Sequence, residues 1–418
     1  MAYIPIFLLL LLSSLCQSDD QLTQSKPLSP GDMLISKDGI FALGFFSPTN
    51  SNKSLYIGIW YHDIPVRTIV WVANRDNPIT MPSTAKLTIT KNQEIVLSDS
   101  EDHTLWTTAI NTTARGVGAV AVLLGSGNFV LQSPNGTVIW QSFDHPTDTI
   151  LPTMRFLMSY RAQVVEHLVA WKGPDDPSTG DFSFSIDPTS NLQMFIWHKT
   201  WPYYRSAVFY GESVTGGSFL GNATFVLYQE TIDTGIEFYF RYRVSDGTPY
   251  TRFLLDYTGT LSLLSWNKNM LSWTVISHSG HGCDLYGSCG PFGYCDFTAA
   301  AAPMCRCLDG FEPKDLNFSR GCRRKEALQC GKEEHFVTLA GMKVPDKFLH
   351  IPNRSFDQCA AECSKNCSCL AYAYANLSSA GTMADTSRCL VWTGDLVDLW
   401  KASNLGENLY LRLAESTA

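Results

Sequence analysis

The stretch Lys86-Leu-Thr-Ile-Thr-Lys-Asn-Gln-Glu-Ile-Val-Leu-Ser-Asp-Ser-Glu-Asp-His-Thr-Leu-Trp106 reads as strand, turn, strand, turn, strand, ending in a tryptophan. Apolar and polar residues alternate in Lys86–Thr90, the period of a half-buried strand, and Ile95–Ser98 is a short β-branched and apolar run. The pattern recurs downstream. Ala121-Val-Leu-Leu, Phe129-Val-Leu-Gln and Ile139-Trp140 repeat the three pieces and the terminal tryptophan. Repeated three-strand units stack into a prism or barrel, which hides their edges. Met194 to Trp201, followed by Leu254 to Trp273, reads as a third and more degenerate set.

Working outward, the chain up to residue 282 keeps this character. Leu55–Tyr61, Thr68–Ala73, Asn128–Leu131, Phe182–Ile186, Phe238–Val244 and Thr260–Leu264 are short β-branched or aromatic runs between Gly, Pro, Asn and Asp punctuation. They predict an all-β fold with Trp60, Trp71, Trp106 and Trp140 in its core. From Cys283 the physics changes. Twelve of the 13 cysteines lie between Cys283 and Cys389, and the other, Cys16, sits in an apolar leader. Ile6–Leu12, followed by small and polar residues through Ser18, has the layout of a secretory signal and is too short to span a bilayer. Cleavage near Ser18 leaves an even set of thiols, as expected where disulfides persist. Eight Asn-x-Ser/Thr sequons point to the same compartment: Asn52, Asn111, Asn135, Asn222, Asn317, Asn353, Asn366 and Asn376.

The remaining composition excludes function classes. No later stretch approaches 18 uncharged apolar residues, and Val117–Leu124 is broken by Gly125, Ser126 and Gly127. A net charge of -8, with only the short cluster Arg320–Lys325 of opposite sign, argues against nucleic acid. No metal is expected: the cysteines lack paired C-x2-C spacing, no histidine stands at ligand spacing, and no acidic ligands precede Cys283. H-E-x-x-H, G-x-S-x-G and a phosphate loop are absent, so no cofactor and no catalysis are expected. Ser142, Asp144, His145 and Asp148 lie in a proline-rich turn, which reads as a local turn network rather than a triad. Asp357–Lys365 reads as a short helix that shows Cys359 and Cys363, four apart, on one face. Spacing alone leaves fifteen connectivities open for each set of six cysteines.

Particular motifs carry a resemblance. Phe41-Ala-Leu-Gly-Phe-Phe-Ser-Pro48, Tyr56-Ile-Gly-Ile-Trp-Tyr61, Ile64-Pro65, Thr68-Ile-Val-Trp-Val-Ala-Asn-Arg-Asp-Asn-Pro-Ile79 and Trp140-Gln-Ser-Phe-Asp-His-Pro-Thr-Asp-Thr-Ile-Leu-Pro152 resemble plant S-locus glycoproteins. That family includes the ectodomains of G-type lectin S-receptor-like serine/threonine kinases. Cys283–Cys295 and Cys305-Arg-Cys-Leu-Asp-Gly-Phe-Glu-Pro-Lys314 resemble its EGF-like module. Asn366-Cys-Ser-Cys-Leu-Ala-Tyr372 and Cys389-Leu-Val-Trp-Thr-Gly-Asp-Leu396 resemble its PAN/apple module.

The resemblance implies a mainly β chain: two bulb-type-lectin-like β-prism domains, a disulfide-rich EGF-like module and a small α+β PAN/apple module. Its boundaries are residues 1–18 for a signal peptide, 19–150 and 151–278 for the two lectin-like domains, 279–325 for the EGF-like module and 330–414 for PAN. It implies the pairs Cys283–Cys295, Cys289–Cys305, Cys307–Cys322, Cys359–Cys389 and Cys363–Cys369, and leaves Cys330 to Cys367. Bulb-type lectins hold mannose on a Gln-x-Asp-x-Asn-x-Val-x-Tyr strand, whose alternate residues share one face. Here Asn128 and Val130 match, while Leu124, Ser126 and Gln132 replace the other three. In the first repeat Thr90, Asn92, Glu94 and Ser98 flank a single match, Val96. Each lost polar group removes about 1 kcal/mol.

The expected function is extracellular recognition of a small secreted peptide or protein, with self-association or association with a receptor kinase, in pollen recognition or immune-type signalling. The contact surface falls between Leu192 and Val244, where Trp201, Tyr203, Tyr204 and Tyr210 cluster. The alternatives are a glycan-binding lectin of the mannose type and the ectodomain of a longer receptor kinase. The place is the apoplast, or the outer face of the plasma membrane for a receptor. No kinase motif occurs in these 418 residues.

Overall fold

The computed structural model describes residues 19–414 other than 50–53, 81–83, 110–117, 160–163, 188, 191, 209–212, 219–223, 281, 299–303, 316–317, 319, 330–333, 378–384 and 403–405; for 164, 213–218 and 224–226 it describes the backbone alone. The leader with Cys16, the sequons at Asn52, Asn111, Asn222 and Asn317, and Cys330 and Tyr210 lie outside the described residues. The chain forms two compact units.

The first unit comprises residues 1–147, 173–179 and 268–272. Three antiparallel sheets build it. One orders Met33–Ile35, Phe41–Phe46, Ser54–Tyr61 and Thr68–Val72 in sequence. The second is Lys86–Ile89, Ile95–Ser98 and Thr104–Thr107. The third is Gln21–Leu22, Val120–Leu123, Phe129–Gln132 and Val138–Gln141. The repeat read from the sequence is therefore real, but its third member lies upstream. Ile59 opposes Trp71, Leu97 opposes Trp106 and Leu131 opposes Trp140, and in each sheet the register shifts immediately after that pair. A bulge adds local twist, which helps each sheet curl around a shared core. The three indoles meet edge to face at 5.9, 6.1 and 5.8 Å. Such pairs contribute about 0.5–1.5 kcal/mol each beyond the area they bury. Met194–His198 and Thr251–Leu255, expected to share a unit, instead belong to different sheets. Trp201 opposes His198, not the residue at its sheet's register shift, so it lacks the register of the first three.

The motif Asn74-Arg75-Asp76 has structural work in this unit. The Asn74 side chain accepts from Ile57 N at 2.8 Å and donates to Asn77 O at 2.8 Å, which ends the sheet in a closed turn. Arg75 Nε donates to Pro177 O at 2.9 Å, and the Asp76 carboxylate accepts from the backbone and hydroxyl of Thr179, both at 2.7 Å.

The second unit comprises residues 148–172, 180–267 and 273–418. It holds most of three more sheets, two of them with strands out of sequence order. Thr149–Ile150 pairs Thr251–Leu255, which leads to Leu261–Asn267 and Ser272–His278. Phe156–Ser159 pairs Glu237–Val244. His167–Gly173, Asp176–Ile186, Met194–His198 and Trp201–Arg205 form the third. The cysteine-rich tail follows as an eight-stranded sheet and a two-stranded ladder of Phe311–Pro313 with Cys322–Arg324. Gly293–Asp296, from the first half of the cysteine block, runs parallel to Leu399–Lys401 near the chain's end, so the two share one ladder. They also share a core. Leu192 and Val208, then Leu308, Phe311 and Cys322, then Val344, Trp392 and Leu411 belong to one buried cluster. A helix, Phe356–Ser364, crosses the sheet. Ser355 and Gln358 cap its start reciprocally, and Cys359 and Cys363 are its buried residues.

Candidate recognition surface

The strand that resembles a mannose site turns its best residue inward. Asn128 is 7% exposed and Val130 4%. Asn128 Nδ2 donates to Gln141 Oε1 at 2.9 Å, and its Oδ1 accepts from Ser142 Oγ and Phe143 N, both at 3.3 Å. Ser142 Oγ accepts from Phe129 N at 2.9 Å, and Gln141 Nε2 reaches Asp144 Oδ1 at 2.9 Å. The Trp140-Gln-Ser-Phe-Asp motif is thus a clamp that fastens the turn Ser142–Asp144 onto the neighbouring strand. Its hydroxyl is committed to that clamp, while His145 stacks on Trp140 at 5.3 Å, where burial lowers the imidazole pKa. Leu124 stands exposed where a sugar site needs a polar amide. In the first repeat, Thr90 Oγ1 accepts from Asn92 N and Glu94 N, both at 3.3 Å, which is turn geometry.

A different surface lies on the strand Trp201–Arg205, at one edge of its sheet. Phe182 opposes His198, and His198 opposes Trp201, so three rings form a row across three strands. Phe182 and His198 stack at 4.8 Å, and Tyr203 meets Phe182 edge to face at 5.0 Å. Trp201 is 75% exposed, the most open large apolar side chain among the described residues. Asp181, with Lys199 at 3.4 Å, borders the row. Tyr204 belongs elsewhere. Its ring lies under Lys343 Nζ at 5.3 Å, and burial beside Asp284 and Asp398 pushes its phenol pKa up.

What holds this strand is a buried ionic junction. Arg205 is fully buried. Its Nε donates to Asp398 Oδ2 at 2.6 Å, one terminal nitrogen to Gln193 Oε1 at 2.9 Å, and the other to Val344 O at 2.7 Å and Asp398 O at 2.6 Å. Gln193 passes the chain on to Asp187 and to Asp346, and Tyr286 donates to Asp346 at 2.6 Å. Burial disfavours the Asp398 charge, but Lys343 and Arg205 outweigh it and hold its carboxyl below the usual range. Tyr286 N also donates to Tyr203 O at 2.9 Å. Each partner comes from a different stretch of sequence, so no local pattern announces the site. The only hint in the chain is an arginine ending the aromatic run Trp201-Pro-Tyr-Tyr-Arg205.

Residues 68–172 match the D-mannose binding lectin family, 204–315 the S-locus glycoprotein domain and 330–399 the PAN-like domain. S-locus-specific glycoprotein S6 of Brassica oleracea is 33% identical over 94% of this chain and 90% of its own length. The chain belongs to the S-locus glycoprotein family. Receptor-like serine/threonine-protein kinase SD1-7 of Arabidopsis thaliana is 35% identical over 98% of this chain and 48% of its own. The chain spans about half the length of the receptor-like kinases it matches. Among solved structures, a monomeric monocot mannose-binding lectin from Gastrodia elata resembles 30% of this chain at 16% identity and a TM-score of 0.23. This S-locus glycoprotein relative is an extracellular, receptor-like protein with a lectin domain. Among the described residues no helix is long and apolar enough to cross a membrane.

In this S-locus glycoprotein relative the tail's sulfurs are bonded Cys283–Cys295, Cys289–Cys305, Cys307–Cys322, Cys359–Cys389 and Cys363–Cys369. Cys367 is disulfide-bonded too. The sulfurs of Cys283, Cys289 and Cys305 lie within 4.8 Å of one another, close enough for a shared metal, but all three are spent in bridges and offer no thiolate. Of the sequon asparagines, Asn135, Asn353, Asn366 and Asn376 are described and exposed.

Proposed function

We propose that this chain recognises a secreted peptide or protein through the row Phe182, His198 and Trp201 with Tyr203, inside the stretch Leu192–Val244 and its neighbour strand. The observation that carries the reading is the 75% exposure of Trp201 on a strand whose other end is fixed by the buried Arg205. A large rigid ring held open on a stiff support is what a binding hot spot needs, because little entropy remains to be lost on contact. The mannose-type strand supports the same reading from the other side, since Asn128 spends its amide within the fold. The second set of three sheets is read as a second lectin-like prism that has become a protein-binding scaffold. The lectin, EGF-like and PAN modules bring no catalytic group, so the chain acts by binding. Signalling falls to an associated or covalently attached receptor kinase, and the cue is pollen or an immune-type signal.

The test uses the secreted mature glycoprotein on two arrays, one of secreted peptides and one of glycans. Peptide capture that falls at least tenfold in Trp201→Ala, with a blank glycan array, supports the proposal. A mannose signal that disappears in Asn128→Ala, without peptide capture, overturns it in favour of a sugar-binding lectin.

A further inference from the structure

One carboxylate of the buried junction is out of place. Asp284, at the end of the turn Gly282–Asp284, points its Oδ1 into the interior without a hydrogen-bond partner. Its nearest cation is Lys343 Nζ at 3.8 Å. That ammonium is already 3.1 Å from Asp398, and only 1% of its side chain is exposed. Asp398 has Arg205 and the Gly287 N–H as well, so it outcompetes Asp284 for the shared cation. The groups facing Asp284 are therefore Lys343 from the strand Glu334–Lys343, Asp398 ahead of the strand Leu399–Lys401, and Tyr204 and Arg205 from the strand Trp201–Arg205, together with the backbone of Gly280 on its own side.

We propose that Asp284, Lys343 and Asp398 form a pH-sensitive lock, closed while Asp284 carries a proton and loosened when it ionises. With Asp284 protonated, the Asp398 carboxylate alone serves the two buried cations Lys343 and Arg205. An ionised Asp284 adds a second carboxylate whose buried Oδ1 has no hydrogen bond and whose nearest cation stands 3.8 Å away, too far to offset its desolvation. The lock lies at the meeting of three stretches, because Tyr286, two residues on, holds both Tyr203 O and Asp346. Loosening it frees the EGF-like turn from the strand that carries Trp201.

The direction follows from linkage. Burial raises the Asp284 carboxyl to about 6, and the like charge of Asp398 adds to the rise, while Lys343 opposes both. The folded form thus binds this proton more tightly than the open form. Stability from this group is full below the open-form value near 3.8 and falls as pH rises toward 6. Between about pH 5 and about pH 7.5 the opening constant rises about tenfold. The half-buried His350 acts in the opposite sense, because desolvation lowers its pKa and acid then disfavours the fold.

The experiment is amide hydrogen exchange on the intact glycoprotein, corrected for the intrinsic pH dependence of exchange and read at Tyr286 and Gly287. Wild type should open about tenfold more at pH 7.5 than at pH 5, and Asp284→Asn should show no such rise. Asp284→Ser serves as a second neutral variant if the asparagine form fails to fold. A flat wild-type profile overturns the lock by itself, as does a neutral variant with the wild-type slope.

Discussion

The Trp71–Trp106–Trp140 unit and the cysteine-rich tail keep their shape by opposite means. In the first, three sheets converge on rings and aliphatic chains. Its ion pairs among the described residues, such as Lys86–Asp102 and Lys26–Asp19, lie at the surface, where they contribute about 0–1 kcal/mol. In the second, a buried apolar cluster around Trp392 and Leu411 is joined by disulfides, a sheet shared by distant strands and a fully buried arginine. The difference teaches where each kind of order is stored. A repeat can be assembled from local periodicity plus a hydrophobic core. A tail of small modules depends on bonds between residues far apart in the chain.

Reduction should break that contrast most visibly. Each bridge contributes about 2–4 kcal/mol, so full reduction should unfold the tail while the tryptophan unit survives. Limited proteolysis with mass spectrometry checks this, with cuts expected between residues 283 and 414 and protection over 19–147. Equal cleavage in both would show that the two do not differ in what holds them. Next in size are two point changes of similar cost. Trp140→Ala should remove about 3–5 kcal/mol from the first unit and erase much of its near-ultraviolet dichroism. Arg205→Ala should cost about 3–5 kcal/mol in the second, because Asp398 loses its shorter ion pair and Gln193 Oε1, Val344 O and Asp398 O lose their donor. Urea titrations followed by hydrogen exchange should confine each loss to its own unit. Asn128→Ala comes next, at about 1–3 kcal/mol, because Phe143 N and Ser142 Oγ lose an acceptor. A denaturation midpoint that does not move would mean the side chain is free for a ligand after all. Trp201→Ala should shift stability by no more than about 0.5 kcal/mol, since an open ring supports little. Its effect should fall on binding, measured by peptide capture.

Much of the first unit was legible in advance because its signals are local. Strand positions came from alternation, and the repeat from two copies of a pattern ending in tryptophan. The third copy was misplaced because Phe41–Phe46, Ser54–Tyr61 and Thr68–Val72 are longer and more apolar than the other two, so likeness of sequence ranked the wrong segments together. The helix at Phe356–Ser364 was legible from its cap and its cysteines four apart. Tyr204 was misjudged because alternation gives facing within a sheet, not which face is covered. Asp284, Lys343 and Asp398 were invisible. They are ordinary charged residues, at separations no motif describes, and only burial makes them unusual.

The strand-rich architecture, the oxidised tail and the degenerate mannose-type strand follow from the order of residues alone. All three are written in spacing and residue type within a few turns of chain. It took the assembled fold to show that residues 283–322 and the PAN-like stretch share one core, that Asn128 faces its own fold, and that Arg205 meets Asp398. Those outcomes depend on which distant surfaces exclude water together, and desolvation is a property of the assembled fold that no short window of residues contains.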